Sequence, residues 1–529
     1  MRIIHWIVCT VLVTASCSTT GQTVGLLEAS PYAQPGYNLW SNGVATHLVD
    51  NCGRHIHDWT HEGYPGLSVY MLPSGDLLRT KRLQSELCAG CSQGGGIEQI
   101  APDGTVVWFG DFTGPDHHAH HDIEPLPNGN ILVLLWERIT EAEALALGRS
   151  PELLPPTGDL YVEMLWEVQP GPDDTFEVVW EWHQIDHVMQ AVDPSLPNYG
   201  TPAELPQKLD INAGPTSADW LHANSVDYHA DRDEIVLSLR YINEVVIIDH
   251  NTTTEEAAGP AGDYLWRWGN PANLGSAEPA QLAEQHDAQW ILEGYPGAGH
   301  LTIFDNNLTG TSSQVEEVLP ATDAEGNYIL DAPQADQRVW SWEHPDLFSS
   351  FISGCERQPN GNTLICEGDD GLFWEVNPEG EVLWKYRNPV YPTGDYVEQG
   401  TEPPVVGALA ISVFRMHRIL LDFPGLSAFD LEPGEPLEVN PLPIPDNCEP
   451  LPESVGELGR IPALCPNPAS TDHVFQVPSG VQAWSWHYAD GRRLADAHPH
   501  SLKAPAHPGM YLLRLKTSTG VHVQRILIQ

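Results

Sequence analysis

Short segments in which apolar and polar residues alternate recur along most of the chain, separated by turn-forming residues. Alternation with a period of two predicts half-buried strands, and turns of the Pro-Asn-Gly type between paired segments predict β-hairpins. One class of hairpin, called inner below, recurs six times, at 68–80, 120–137, 222–240, 286–305, 353–368 and 411–422. A second class, called outer, also recurs six times and ends in tryptophan, at 46–59, 97–108, 160–182, 245–268, 315–342 and 372–384. The pattern predicts an all-β protein.

Six hairpins of each class predict a six-bladed β-propeller over residues 22–430, with one inner and one outer hairpin in each blade. The outer hairpin at 46–59 precedes every inner one, and the inner hairpin at 411–422 has no outer one after it. We therefore expect these two hairpins to share the blade that closes the ring. An open β-sandwich array is the alternative, but a two-sheet sandwich usually holds fewer hairpins than twelve.

The C-terminal part differs in composition from the repeats. Residues 431–464 are rich in Pro and Glu and predict an extended linker, whereas 465–529 alternate in short strands and predict a small C-terminal β-sandwich. This tail resembles the C-terminal sorting domain of the type IX secretion system, with Pro466-Asn467-Pro468, Asp490-Gly491 and Pro508-Gly509-Met510-Tyr511-Leu512 as the matching motifs. The resemblance implies the type IX secretion machinery as a partner and transport across an outer membrane.

The N-terminus predicts export. Residues 1–21 are read as a signal peptide, because Arg2 is followed by an apolar run to Val13 and then by small residues. Cys17 partly resembles a lipoprotein cleavage box, so both a secreted protein and one held at the outer-membrane surface are expected.

Seventy-two acidic against twenty-four basic residues give a net charge of −48. Such a charge opposes binding to nucleic acid or to an anionic membrane surface. An anionic substrate would need a local positive site.

The cysteines predict disulfides in an oxidising compartment. Cys88 and Cys91 are expected to close a small loop, and the turn at Asn360-Gly361 is expected to place Cys355 directly opposite Cys366. Cys448 with Cys465 would close the linker.

Histidines recur where inner hairpins begin: His121, His222 and His286. Inner strands line the channel of a propeller, so these three side chains are expected to converge on its axis. Three histidines also suit a zinc site, but Arg240 is expected nearby, and a guanidinium beside a dication is unfavourable. We therefore expect no metal and no cofactor.

Arg240 and Asn224 give this group of histidines an oxyanion-binding character. A guanidinium presents a planar fork of donors, and Asn224 adds a neutral amide. The sequence predicts a site for sulfate or phosphate groups.

Several segments resemble the bacterial arylsulfotransferases: 36–59, 120–132, 219–249, 285–291 and 353–386. The likeness covers about residues 36–425 and is most specific from His222 to Arg240. That family transfers a sulfuryl group from a phenolic sulfate ester to another phenol through a sulfated histidine, without a nucleotide donor. The resemblance implies an aryl sulfate donor and a phenolic acceptor as partners.

The resemblance also implies roles for individual residues. It makes His286 the nucleophile and His222, Asn224 and Arg240 the groups that bind the sulfuryl oxygens, with His222 also suited to donate a proton. It makes His121 a further channel histidine, with His120 as the alternative counterpart. A non-catalytic extracellular binding propeller and an aryl-sulfate hydrolase are the other functions considered, and the oligomeric state and a structural calcium are left open.

Overall fold

The computed structural model describes residues 22–85, 87, 94–307, 310–404, 407, 410–445 and 448, and the backbone of strands at 481–488, 509–517 and 521–528. The chain divides into two compact units, Met1–Glu449 and Pro450–Gln529. Within the described residues, no helix has both the length and the apolar character needed to cross a membrane.

The first unit is a six-bladed β-propeller, which confirms the predicted fold class. Each blade is an antiparallel sheet, and in blades 2 to 6 the innermost strands of successive blades contact one another. Blade 1 contacts blade 2 through Gly36–Asn42 and blade 6 through Met416–Leu420. From the axis outward, the strands of blades 1 to 3 are Met416–Leu420, Gly36–Asn42, Ala45–Asp50 and His55–Thr60; Pro65–Met71, Leu77–Arg82, Gly95–Ile100 and Val106–Asp111; and His117–Pro125, Ile131–Ile139, Leu160–Pro170 and Phe176–His183. Those of blades 4 to 6 are Ala223–His229, Glu234–Leu239, Glu244–Asp249 and Trp266–Trp268; His286–Trp290, Leu301–Asp305, Gln314–Val318 and Arg338–Glu343; and Gly354–Arg357, Thr363–Glu367, Leu372–Val376 and Val382–Arg387, with Gly25–Glu28 added at the edge.

Among the residues that the structure describes, helices are few and short. The α-helices are Glu141–Ala146 and Thr254–Ala257, each begun by a threonine capping box. The 3₁₀-helices are Pro151–Leu153, Gln184–His187, Arg240–Ile242, Pro260–Gly262, Pro271–Leu274, Gln334–Gln337 and Pro424–Ala428, and a parallel pair joins Val188–Met189 to Leu209–Asp210. Central strands are apolar on both faces because each blade packs between two others; Ile131 to Trp136 are all buried.

The ring closes in a blade shared by the two ends of the chain, but not by two hairpins. Residues 411–422 supply one strand, Met416–Leu420, and this strand pairs with Gly36–Asn42 from the N-terminal part. The expected inner hairpin at 411–422 is therefore wrong, and blade 1 takes three strands from the N-terminal part and one from the C-terminal part. A pairing between distant segments has no turn to mark it in the sequence.

The tryptophans that end the outer hairpins join each blade to the next. In every case the indole N–H of the outermost strand donates to a backbone carbonyl of the following blade, at distances from 2.7 to 3.3 Å. The pairs are Trp59 with Ala101, Trp108 with Thr175, Trp182 with Gly262, Trp268 with Gln334, Trp342 with Gly380 and Trp384 with Asn51. The repeated tryptophans that predict the propeller thus also form a ring of hydrogen bonds that joins its blades.

The disulfide pattern differs from the one expected. Cys448 is bonded to Cys52 in blade 1, rather than to Cys465. Cys355 lies opposite Ile365 and Cys366 opposite Gly354, so the expected Cys355–Cys366 bridge is wrong and both thiols are free and buried. A register displaced by one residue puts the two side chains on opposite faces of the sheet. Cys88, Cys91 and Cys465 lie outside the described residues.

Part of the predicted linker lies on the propeller. Pro436 forms a bridge with Arg54, and Val439 forms one with Glu398. In the second unit, the described strands Val481–Tyr488, Gly509–Thr517 and Val521–Ile528 form one antiparallel sheet. The C-terminal β-sandwich and the sorting function stay predictions, and the signal peptide lies outside the described residues.

Candidate active site

A cavity of about 740 Å³ lies where the innermost strands of several blades begin. Four of the predicted site residues line it together: His121, His222, Arg240 and His286. They come from the consecutive blades 3, 4 and 5, so the packing of neighbouring blades brings them to one place.

The backbone bends sharply at the positions that carry the histidines. His121 and His222 have φ values of 52° and 53°, and Asp287, next to His286, has 58°. In each of these innermost strands the pairing register also shifts beside the histidine. A bulge redirects side chains, and left-handed non-glycine residues cluster at functional sites. These bends turn the rings out of the strands and into the cavity.

The His286 imidazole is held at both nitrogens. Its Nδ1 lies 2.7 Å from Oδ1 of Asn306 and 3.1 Å from the carbonyl oxygen of Glu284, and its Nε2 accepts the backbone N–H of Ile352 at 3.2 Å. Burial, together with the positive charge of Arg240, lowers the pKa of His286 well below its ordinary value. The ring is therefore neutral at neutral pH, with the lone pair on Nε2.

His222 has a different kind of partner. Its Nδ1 forms a short hydrogen bond with the carboxylate of Asp219, which also lines the cavity. The ring of Tyr241 stacks on the ring of His222, with centroids 4.7 Å apart. The hydrogen bond with Asp219 fixes the orientation of the His222 ring.

Arg240 carries the positive charge expected at the site. Its guanidinium lies over the ring of Tyr241 and forms an ion pair with the half-exposed carboxylate of Glu284 at 2.5 Å. An anion that enters the cavity therefore meets a guanidinium already shared with a carboxylate.

His121, rather than His120, is the channel histidine that faces the cavity. The ring of His120 instead stacks on Trp136 with centroids 4.0 Å apart. His121 lies 4.6 Å from the His222 ring, centroid to centroid. Burial lowers the pKa of both His120 and His121 well below the ordinary value, with a further lowering from His222.

Asn224 lies behind the cavity wall and not among the residues that line it. It is fully buried, and its Nδ2 donates to the carbonyl oxygen of Gln285 at 2.8 Å. The structure therefore does not place the Asn224 amide where the sequence expected an oxyanion contact, because the amide joins blade 4 to blade 5 instead.

A buried ionic group lies directly beneath the histidines. Arg415 binds Asp122 at 2.9 Å and Asp287 at 2.7 Å, and these two aspartates follow His121 and His286 in the chain. The charge of Arg415 is thus neutralised outside the cavity. Arg418 pairs with Glu375 and His417 with Glu356, so these two do not supply positive charge to the cavity either.

The alternative to an oxyanion site in this cavity is a zinc site bound by three histidines. Within the described residues, no three His, Cys, Asp or Glu side chains are grouped as a metal site. Much of the rest of the cavity wall is aromatic or apolar, with Tyr64, Leu67, Trp136, Phe351 and Phe414. Ser41, Asn42, Arg82 and Ser412 add polar groups to it. Such a wall suits an aromatic ring next to an anion-binding end.

Two residues that contact the histidines were missed in the sequence. Asp219 lies three positions before His222, in a segment with no strand alternation, and Asn306 follows the strand Leu301–Asp305. The hairpin register offers a signal for Asn306: His286 pairs with Phe304, so a polar residue two positions later lies at the same edge.

Comparison with known proteins gives one family match and several distant structural likenesses. The family model described as Arylsulfotransferase (ASST) matches residues 89–383, more than half of the chain. No functionally curated protein matches the chain.

Among solved structures, the chain resembles a protein of unknown function from Bacteroides caccae, at 12% identity over 73% of this chain and 99% of that one, with a TM-score of 0.39. It also resembles the periplasmic gluconolactonase of Pseudomonas aeruginosa, at 12% identity over 73% and 100% of the two chains, with a TM-score of 0.36. Likenesses at these scores support no inference about the site.

Proposed function

This chain belongs to the arylsulfotransferase family, and from this premise we propose that it moves a sulfuryl group from a phenolic sulfate ester to an acceptor phenol through a covalent intermediate on His286. The observation on which the proposal depends is how hydrogen bonds hold the His286 ring in the cavity. Its Nδ1 is hydrogen-bonded to Asn306, and its Nε2 accepts the N–H of Ile352 at 3.2 Å, a bond that attack on sulfur must break. The residue lines the cavity together with Arg240 and His222.

In the first half-reaction, Nε2 of His286 attacks the sulfur of the ester. The nitrogen–sulfur bond forms as the bond from sulfur to the aryl oxygen breaks, and the leaving phenolate takes a proton from His222. Arg240 stabilises the charge on the sulfuryl oxygens, which requires its guanidinium to turn from Glu284 toward the substrate. The sulfated ring keeps its Nδ1 proton.

In the second half-reaction, the acceptor phenol gives its proton to His222 and its oxygen attacks the same sulfur. The nitrogen–sulfur bond breaks, and both histidines return to their starting state. Because the two steps use one cavity, a single set of groups serves donor and acceptor in turn. The aromatic residues of the cavity wall favour phenols over aliphatic alcohols as substrates, because a phenol ring can stack on them.

A chromogenic aryl sulfate, given with and without an acceptor phenol, tests the reaction. We expect phenol release to rise with acceptor and a sulfated acceptor to form. Mass spectrometry of protein quenched during turnover should find a sulfuryl group on the peptide that contains His286. His286→Ala should abolish both signals, whereas His344→Ala, at a distant histidine stacked on Trp342, should retain them.

The other functions give different results in the same assay. Release that does not depend on acceptor, with no sulfated phenol formed, would make the protein a hydrolase. No release under either condition would favour a binding propeller. A sulfuryl mass on His222 or His121 instead of His286 would move the nucleophile.

We further propose that the protein works outside the cytoplasm. The Cys52–Cys448 disulfide supports this proposal, because such bonds persist in oxidising compartments. The predicted signal peptide and the resemblance of the tail to a type IX sorting domain support it as well. Cell fractionation with N-terminal sequencing of the mature chain tests it, and an unprocessed chain in the cytosol would contradict it.

A further inference from the structure

The two histidines at the centre of the cavity differ in the partner that holds Nδ1. His286 faces a neutral amide, Asn306, at 2.7 Å, and His222 faces a carboxylate, Asp219. The contrast lies in one atom type: an amide oxygen in one case and a charged oxygen in the other.

The orientation of the Asn306 amide is determined by its surroundings. Its Nδ2 donates to the backbone carbonyls of Ser349 and Ile352, each at 2.9 Å, which uses both of its hydrogens. The oxygen must therefore face Nδ1 of His286, and that nitrogen must carry the proton. The carbonyl of Glu284 at 3.1 Å demands the same tautomer.

The backbone near Asn306 supports a functional reading of this amide. Ile352 has a φ of 52°, a conformation that is costly for a β-branched residue, and its N–H points at Nε2 of His286. Asn306 holds the carbonyl of the same residue. One fully buried side chain thus fixes both the ring and the strained segment in front of it.

Resting on the proposed function, we propose that these two partners assign the roles of the histidines: Asn306 keeps His286 a neutral nucleophile, and Asp219 keeps His222 a proton donor. A neutral amide orients a ring and stabilises its charged form less than a carboxylate does. Environments that push two titratable groups apart are the usual way in which an acid and a base share a site. Both are positioning residues, since they act on the substrate only through the histidines.

The first test is Asn306→Asp, which keeps the oxygen that faces Nδ1, adds a negative charge and removes the two hydrogen bonds donated to Ser349 and Ile352. Besides the new carboxylate, the charged or titratable groups that face the ring are Arg240, His222 and His121. The rate of the first half-reaction can be followed as a burst of phenolate. We expect the pH below which this rate falls to rise by about one to three units, because an adjacent opposite charge favours the protonated ring. Asn307→Asp places the same charge one residue away and should leave this pH unchanged.

The second test is Asp219→Asn with donors of differing leaving group. Without the carboxylate, His222 should protonate the leaving phenolate oxygen less effectively, so turnover of phenyl sulfate should fall by about 10² to 10⁴-fold. Turnover of 4-nitrophenyl sulfate, whose phenolate leaves without help, should fall much less. Asp233→Asn removes a similar carboxylate from Nδ1 of His250, away from the cavity, and should change neither rate.

Nitrogen NMR of labelled histidines separates this inference from the proposed function, because it needs no reaction. In the wild type, His286 should carry its single proton on Nδ1 at neutral pH, and in Asn306→Asp the ring should become doubly protonated at a higher pH than in the wild type. An unchanged His286 signal in Asn306→Asp, or equal losses for both donors in Asp219→Asn, would overturn the assignment of roles. If the NMR result is as expected but His286 is never sulfated, the proposed function fails and the tuning of the ring stands.

Discussion

The indole N–H of Trp384 donates to the backbone carbonyl of Asn51 at 2.7 Å, across a sequence separation of 333 residues. This bond joins blade 6 to blade 1 and is the one member of the tryptophan ring that closes the propeller. The cavity that contains His121, His222 and His286 is also lined by Ser41 and Asn42 of blade 1, so ring closure completes its wall. Stability and site geometry therefore depend on the same contact.

Trp384→Phe should lower the stability of the propeller. The change leaves the buried Asn51 carbonyl without its donor, at a cost of about 1–3 kcal/mol. Thermal unfolding followed by circular dichroism should show a lower midpoint than for Trp166→Phe, since the indole nitrogen of Trp166 has no hydrogen-bond partner among the described residues. Equal midpoints for the two variants would argue against a stabilising role for the ring.

Gly354 is required by the carboxylate of Asp287. A Cβ at this position would lie 2.0 Å from Oδ2 of Asp287, which accepts the backbone N–H of Cys355 at 2.9 Å and whose other oxygen binds Arg415. Gly354→Ala should therefore displace the carboxylate beside His286, cost about 1–3 kcal/mol and reduce sulfuryl transfer. Gly259→Ala, where the nearest atom is 3.4 Å away, should change neither the unfolding midpoint nor the rate.

The sequence predicted the all-β propeller because each blade repeats a local signal, a turn between two alternating segments followed by a tryptophan. The sequence also predicted that 46–59 and 411–422 share the closing blade, but not how the distant strands of that blade pair. The strand Met416–Leu420 pairs with Gly36–Asn42 without any turn between them. The Cys355 prediction failed by a single position in register, which is enough to place a side chain on the other face.

The candidate site was predictable to the same extent. His121, His222 and His286 stand at repeated positions, so their convergence follows from the ring. Asp219 and Asn306 lie outside the alternating segments, and their contacts depend on left-handed backbone turns that no periodicity shows. The position of Asn224 likewise depends on a register shift after Ala223, which turns its amide toward Gln285.

Glu163 should make the fold less stable as the pH rises. Burial, with the negative charge of Asp219, raises its pKa to about 8 from 4.5, so the folded state retains a proton that the unfolded state has lost between these values. The free energy of unfolding must fall with pH across that window, because the folded state binds more protons there.

Glu163→Gln keeps an oxygen for the N–H of Ala223, now 2.9 Å away, and removes the titration. The unfolding midpoint of the wild type should drop relative to this variant between pH 5 and pH 8, measured at fixed ionic strength. Glu167→Gln is the control of opposite sign, since hydrogen bonds from His250 and two asparagines lower the pKa of Glu167 to about 2. A constant difference between wild type and Glu163→Gln at all pH values would contradict the assignment.

Glu284 should weaken anion binding by competing for Arg240. Its carboxylate lies 2.5 Å from the guanidinium, and an incoming sulfuryl oxygen must displace it. Glu284→Gln should therefore bind inorganic sulfate several-fold more tightly and lower the KM for an aryl sulfate, a modest effect because the carboxylate is half exposed and screened by solvent. Glu402→Gln, which breaks the exposed pair with Arg387, should leave both quantities unchanged. Weaker sulfate binding by Glu284→Gln would mean that the carboxylate instead holds Arg240 in its binding position, and the competition would be disproved.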